Sequence, residues 1–267
     1  MSTAALHNVS VLRPVVASPA AFFAAQQTAA AGDFDLAGME ILGTTRRRIK
    51  CGEPLYHAGE NFTSIYIIRT GFFRSTMTLE DGREQITGFS MAGDIIGLDG
   101  IHGGKHSCST AALEDSEVCV ISYSRLQQAS LHAPALQQYF HRLLGREITR
   151  DYRLMLLLGS MCAEERLASF LLNLSARYEA RGYSASAFNL RMTRDEIGSY
   201  LGLKVETVSR ALSKLQKLGF ISIKGRRVGI PSVARLGAFL RGEALPPAAP
   251  APVRSEEHTS ELQSRET

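Results

Sequence analysis

Between Met192 and Ile230 the sequence spells two short helices around a glycine and then two short strands around a basic turn, an order that few folds accept. Thr193 suits an N-cap, Asp195 and Glu196 suit the positive end of a helix dipole, and Ile197, Tyr200 and Leu201 give that helix an apolar face. Gly202-Leu203 breaks it. A second helix is predicted over about Val205 to Leu218, with Val208, Leu212 and Leu215 inward and Gly219 at a left-handed C-cap. Phe220 to Ile223 and Val228 to Ile230 then read as strands flanking Lys224-Gly225-Arg226-Arg227, the layout of a winged helix-turn-helix. Residues 191–241 hold eleven Lys or Arg against Asp195, Glu196 and Glu206, a net +8 that exceeds the +4 of the whole chain. A local field of that sign is the footprint of a polyanion, here double-stranded DNA.

The second helix carries the chemistry. Glu206, Ser209 and Arg210 fall on one outward face near its N-terminal end, where a recognition helix meets base edges in a major groove. An arginine there pairs with O6 and N7 of guanine, and a glutamate accepts from the amino group of cytosine. Glu206 repels phosphate, so base reading explains its place on this face. The structural alternative is a Glu206–Arg210 pair along the helix, worth roughly a few tenths of a kcal/mol. Thr193, Lys204, Thr207, Lys214 and Arg226 surround the same face and are expected at the DNA backbone.

Upstream the pattern changes twice. From about Arg46 to Tyr123, short β-rich runs such as Ser64 to Arg69, Gly71 to Ser75 and Gln85 to Phe89 alternate with glycines, and Asp81-Gly82 marks a hairpin. This predicts a small antiparallel barrel or jelly roll whose interior can hold a ligand. From Ala135 the period becomes helical. His141, Leu144, Ile148, Asp151, Met155, Leu158 and Cys162 recur at alternating steps of three and four, the spacing of a coiled-coil seam along one continuous helix. Leu144, Ile148, Asp151, Met155 and Leu158 are the candidate homodimer interface, with packing on the chain's own barrel as the alternative. Two copies of Asp151 facing across a two-fold axis repel, so the position weakens and tunes such a dimer. A solvated Asp just off the seam is the plainer reading.

The expected fold class is therefore α+β. An N-terminal antiparallel β jelly-roll domain (33–134) leads through a long dimerisation helix (135–160) to a C-terminal winged helix-turn-helix domain (161–241). An Ala-rich flexible arm (1–32) precedes them, and a Pro- and Ala-rich disordered tail (242–267) follows. Residues 254–264, RSEEHTSELQS, look like the translation of a sequencing-library adapter, so 254–267 are set aside; without them the net charge is +6. No apolar run approaches the roughly 18 to 20 residues of a transmembrane helix, and the opening residues lack the pattern of a secretion signal. Cys51, Cys108, Cys119 and Cys162 are spaced neither as a disulfide framework nor as metal knuckles. A cytoplasmic protein, away from membranes, is the expectation. No nucleophile elbow, dinucleotide fingerprint, P-loop or H-E-x-x-H motif is present, so an enzyme is not expected.

The stretch from Met192 to Leu212, MTRDEIGSYLGLKVETVSRAL, resembles the DNA-binding signature of the Crp/Fnr superfamily, specifically its Fnr branch, whose recognition helix has the pattern E-x-x-S-R. Glu84-Gln-Ile-Thr-Gly-Phe, Ala92-Gly-Asp, Ala112-Leu-Glu, Leu156-Leu-Leu and Ala163-Glu-Glu-Arg-Leu-Ala are similar to that branch too, so the resemblance spans about residues 45–230. It implies a transcription regulator, a homodimer with a cyclic-nucleotide-binding-like sensor domain, acting on inverted repeats of a TTGAT-like half-site. It also implies base reading by Glu206, Ser209 and Arg210, and a contact of Asp81, Gly82 and Arg83 with RNA polymerase.

What such a regulator senses is a separate matter. Oxygen-sensing members hold a [4Fe–4S] cluster with cysteines near the N-terminus and one in the barrel. Cys119 takes the barrel position, but nothing before Cys51 is a cysteine, and a cluster of this type needs four thiolates. That argues against the [4Fe–4S] cluster, with an incomplete N-terminus as the other account of the gap. Members that bind cyclic nucleotides use a Gly-Glu motif and a following Arg; Gly93 to Asp99 has no such Glu, and no Arg follows it before Arg125, so this ligand is disfavoured. His102, His106 and Cys108 form H-x3-H-x-C, a spacing that suits a metal, and haem is a further reading of the histidines. Solvated loop histidines are the simpler one, and no cofactor or metal site is predicted. Ligand-gated and constitutive DNA binding both stay open.

Overall fold

The computed structural model describes residues 45–243. The expected arm (1–32) and the adapter-like 254–267 lie outside the described residues. Strands β1 (Thr45–Ile49), β2 (Pro54–Tyr56), β3 (Ser64–Thr70), β4 (Phe72–Thr78), β5 (Glu84–Met91), β6 (Ile95–Ile96), β7 (Ser109–Ala112) and β8 (Ser116–Ser122) form two antiparallel sheets, ordered β1-β8-β3-β6 and β2-β7-β4-β5. This is the jelly roll, and Asp81-Gly82 lies in the hairpin that joins β4 to β5. The near-continuous apolar run of β3 has a direct cause: both of its faces are covered. Tyr66 and Ile68 point between the sheets with Tyr56, Phe73 and Val118, whereas Ile65 and Ile67 pack outward with Ile121, Leu126 and Leu136.

The β4–β5 register shifts by one residue between Ser75 and Thr76, which leaves Thr87 as an unpaired bulge. The bulge reverses side-chain parity, so Ile86, Phe89 and Met91 all face outward into one core shared with the C-terminal half. That core runs on through Leu157, Leu167, Leu171, Ile197, Val208, Leu215 and Leu236. The barrel and the C-terminal half are thus joined by buried apolar surface as well as by chain.

Six helices complete the described residues: α1 (Tyr123–His132), α2 (Pro134–Ser160), α3 (Ala163–Glu179), α4 (Arg194–Leu201), α5 (Val205–Lys217) and α6 (Val233–Arg241). The predicted continuous helix through Cys162 is not found. α2 stops at Ser160 and Met161 is extended, while the Cys162 N–H donates to Glu165 Oε2 at 2.8 Å as the entry to α3. Cys162 therefore leaves the stripe that begins at His141: the acids Glu164 and Glu165 favour a new helix start at that point. A further strand, β9 (Ala187–Asn189), pairs with β11 (Arg227–Gly229), which pairs with β10 (Ser222–Lys224), so the wing is a three-stranded sheet.

Candidate nucleic-acid interface

Helix α4 begins at a reciprocal cap. Thr193 Oγ1 accepts from the Glu196 N–H at 3.1 Å, and the Thr193 N–H donates to Glu196 Oε2 at 2.7 Å. It ends at Gly202, whose φ of 62° is left-handed. Gly198 allows the following turn to fold back, since a Cβ there would lie 2.5 Å from the Leu203 carbonyl oxygen. Helix α5 follows with Val208, Ala211, Leu212 and Leu215 fully inside, which aims the opposite face at solvent.

On that face lie Glu206 and Arg210, both exposed, and Ser209, half-buried. A shallow depression runs along Ser209, Arg210, Ser213, Lys214 and Lys217. The Glu206–Arg210 pair does not form; Arg210 Nη2 donates to Thr207 Oγ1 at 3.3 Å, which leaves the Glu206 carboxylate to solvent. Lys204 is the exposed N-cap residue of α5, Thr193 is exposed at the start of α4, and Arg226 is exposed at the wing tip, its Nη1 donating to the Arg191 carbonyl at 3.5 Å. Of the residues that the sequence suggests for bases and for backbone, Ser209, Arg210 and Lys214 line one depression on α5, while Thr193, Lys204, Glu206 and Arg226 are exposed around the winged unit.

Two contacts there were not foreseen. Arg194 Nη1 donates to Ser209 Oγ at 3.2 Å, so α4 holds a hydroxyl of α5. Lys214 Nζ donates to Glu164 Oε1 of α3 at 2.7 Å; that bond keeps the carboxyl below its usual range and lifts the ammonium above its own. Lys214 is therefore already paired with an anion of its own chain. No local sequence signal marks either bond, because the partners are 15 and 50 residues apart.

The same unit is fastened to the barrel. Arg74 Nη1 of β4 meets Glu196 Oε1 at 2.6 Å, the Ile86 N–H donates to Ser199 Oγ at 2.9 Å, and Gln85 Nε2 bonds the Ser199 carbonyl. Glu196 serves both the cap of α4 and the ion pair.

Inside the barrel, His106 is buried, stacked on Tyr56 with ring centroids 3.8 Å apart. Asp99 is the hub: Oδ1 is 3.3 Å from His106 Nδ1, and Oδ2 accepts from the Ser107 N–H at 2.8 Å and the Cys108 N–H at 3.2 Å. Burial first, and Asp99 second, push the Cys108 thiol up to about 12. His102 stays exposed on the loop, apart from this cluster. Among the described residues no group of three or more His, Cys, Asp or Glu is placed to hold a metal ion. Cys119 is buried in β8, with Ile65, Ile67 and Ile121.

On α2, Ile148, Tyr152, Met155 and Leu156 are exposed large apolar residues, at 51%, 61%, 59% and 40%, and Asp151 is exposed among them. Leu144 is half-buried, and Leu158 packs against the C-terminal core. In the β4–β5 hairpin, Arg83 Nε meets Asp81 Oδ2 at 2.7 Å on an exposed turn that presents Asp81, Gly82 and Arg83 together. No helix among the described residues is long and apolar enough to cross a membrane.

Comparison with known proteins agrees on both halves. Residues 46–132 match the family described as the cyclic nucleotide-binding domain, and residues 165–239 match the Crp-like helix-turn-helix domain. The chain is 48% identical over 206 residues to the transcriptional regulatory protein btr of Bordetella pertussis, covering 77% of this chain and 85% of that one. It is 45% identical over 194 residues to the fumarate and nitrate reduction regulatory protein of Salmonella typhimurium, covering 73% and 78%. The solved structure of FixK2 from Bradyrhizobium japonicum superimposes with a TM-score of 0.68 at 33% identity, over 76% of this chain and 99% of that one.

Proposed function

Because the chain belongs to the Crp/Fnr family of DNA-binding transcription regulators, we propose that it works in the cytoplasm as a homodimer on inverted repeats of a TTGAT-like half-site, and that it activates transcription by touching RNA polymerase. The observation that carries the reading is the outward row of exposed Glu206 and Arg210 and half-buried Ser209 on a helix whose other face is fully buried. In this reading Arg210 and Glu206 read a guanine and a cytosine amino group, and Ser209, steadied by Arg194, adds a third base contact. Thr193, Lys204, Thr207, Lys214 and Arg226 hold phosphates and set the register.

The open apolar face of α2 supports the dimer, since four large side chains in water are covered when two copies of α2 lie side by side. In this reading Ile148, Asp151 and Met155 form the centre of the seam with half-buried Leu144 beside them, while Leu158 stands at its end, already packed on the C-terminal core. The exposed Asp81-Gly82-Arg83 turn is the polymerase contact, and relatives named as transcriptional activators, such as Anr of Pseudomonas protegens, support activation.

The matched sensor family is named for cyclic nucleotides, but the residues here do not suit one. Asp99 already occupies the Ser107 and Cys108 amides with its own carboxylate, and a second anion would meet that charge. Nor do the cysteines of residues 45–243 gather for a cluster: Cys119 is buried beside Ile65, Ile67 and Ile121 with Arg69 Nη1 4.0 Å from its sulfur, and Cys51 and Cys162 are exposed elsewhere. We propose DNA binding without either group.

The test is a fluorescence-anisotropy titration, in air and at fixed salt, on a TTGAT-N4-ATCAA duplex beside a scrambled duplex. Preference for the palindrome is expected. Equal affinity for both duplexes, in air and again in anaerobic, iron-reconstituted protein, would overturn the assignment.

A further inference from the structure

A cavity of about 240 Å³ opens where the two halves of the molecule meet, bounded by Phe89 and Asp94 of the barrel, by α2 and α3, and by Tyr200 of α4. Arg146, Arg150, Arg153 and Arg177 line it, against the carboxylates of Asp94 and Glu147. Both carboxylates are engaged. Asp94 takes Arg177 and, at 2.7 Å, Arg181; Glu147 takes Arg150 at 3.2 Å. Burial works against the ionised form of Asp94, yet Arg177 and Arg181 outweigh it and hold the carboxyl below its usual range. The walls therefore keep an excess of positive charge at side chains only 21% (Arg177) and 33% (Arg150) exposed, where like charges repel more strongly than in open water.

The remaining wall is aromatic. Phe89, Phe170 and Tyr200 stand with ring centroids 5.3 to 6.1 Å apart. Gly88 makes room for the guanidinium that turns in beside them, since a Cβ there would lie 2.6 Å from Arg150 Nη2. Guanidinium groups match the forked oxygens of carboxylate and phosphate, and aromatic walls accept a flat apolar body.

We propose that this cavity binds a small organic anion, one phosphate or carboxylate group carried on a body of about one aromatic ring. Arg146, Arg150, Arg153 and Leu157 lie on a different face of α2 from Ile148 and Met155, so filling the cavity does not compete with pairing of two copies. Because the walls come from both halves, the anion also ties α4 to the barrel. It changes DNA affinity to the extent that it prefers the docked arrangement, a coupling that rests on the DNA-binding reading above, whereas the binding itself does not.

Calorimetric titration of the full chain with phenyl phosphate, benzoate, inorganic phosphate and phenol tests this. Saturable binding of phenyl phosphate or benzoate is expected, weaker binding of inorganic phosphate, and none of phenol. Arg150→Gln and Arg146→Gln should each weaken it by roughly tenfold or more. Arg146 is exposed at the rim, so its variant keeps the test alive if Arg150→Gln fails to fold. The double variant Arg210→Ala/Lys214→Ala removes cations of the DNA face and should leave anion binding intact while abolishing preference for the palindrome. No saturation at millimolar phenyl phosphate and benzoate would overturn the proposal. So would binding that is lost in the DNA-face variant and kept in Arg146→Gln and Arg150→Gln. Equal affinity for inorganic and phenyl phosphate would overturn the part given to the aromatic wall.

Discussion

Helices α2 and α5 each leave one face uncovered, and the two faces are opposite in kind. α2 buries Leu143 and Leu157 but turns Ile148, Tyr152 and Met155 to solvent. α5 buries Val208, Leu212 and Leu215 but turns Glu206, Arg210, Lys214 and Lys217 outward. Apolar surface gains by meeting another apolar surface, at about 25 cal/mol per Å² removed from water. A cationic face gains by displacing counterions from a polyanion, and little by meeting its own copy. Amphipathicity alone thus says that a helix is docked on its own chain, while the chemistry of the face left over says what covers it next.

The sharpest way to break this comparison is to give the α2 face the character of the α5 face. Ile148→Glu places two like charges in the proposed seam and should cost about 3 to 5 kcal/mol of dimer stability, read as a shift to monomer in sedimentation across a dilution series. An unchanged profile would move the seam away from Ile148. The converse change, Arg210→Ala, should cost about 1 to 3 kcal/mol on the palindromic duplex and little on a scrambled one. Equal loss on both would reduce Arg210 to a phosphate contact. Lys214→Ala should weaken both duplexes alike and lower the salt slope by about one. Because Lys214 starts on Glu164, Glu164→Gln should strengthen binding to both duplexes by less than that loss, measured in the same titration.

How far each region could be read in advance follows from the range of its contacts. The winged unit is largely local: the Thr193 cap, the Gly202 turn and the step of three and four in α5 are each contained in a dozen residues, and the structure places them where the sequence does. The jelly roll was legible as a class, from its glycine punctuation and the Asp81-Gly82 hairpin, but its sheet order was not. The bulge at Thr87 is invisible in sequence, though it decides that Ile86 and Phe89 share a face. The junction was missed altogether. Arg74 and Glu196 are 122 residues apart, and nothing in β4 announces that an arginine there will brace a helix cap. The expected helix over 135–160 ends where α2 does, but Cys162, which continues the step of three and four, belongs to the cap of α3, and the acids after it mark that new start.

Asp151 offers the finest test of the two faces, since it is the one charge among the exposed apolar residues of α2. In a seam where two copies approach, each carboxylate sits near its mate and near Ile148 and Met155, so removing the charge relieves repulsion and lets apolar area close. Asp151→Ala should then tighten the dimer by roughly 0.5 to 1 kcal/mol, the scale of an exposed pair of like charges. The gain should shrink as salt is added, because screening already does part of what the substitution does. It should also appear in DNA binding only at protein concentrations low enough for the wild type to dissociate. A dimer no tighter in Asp151→Ala, at low salt and low concentration, would place Asp151 beside the seam in open water, and the seam itself would then be purely apolar.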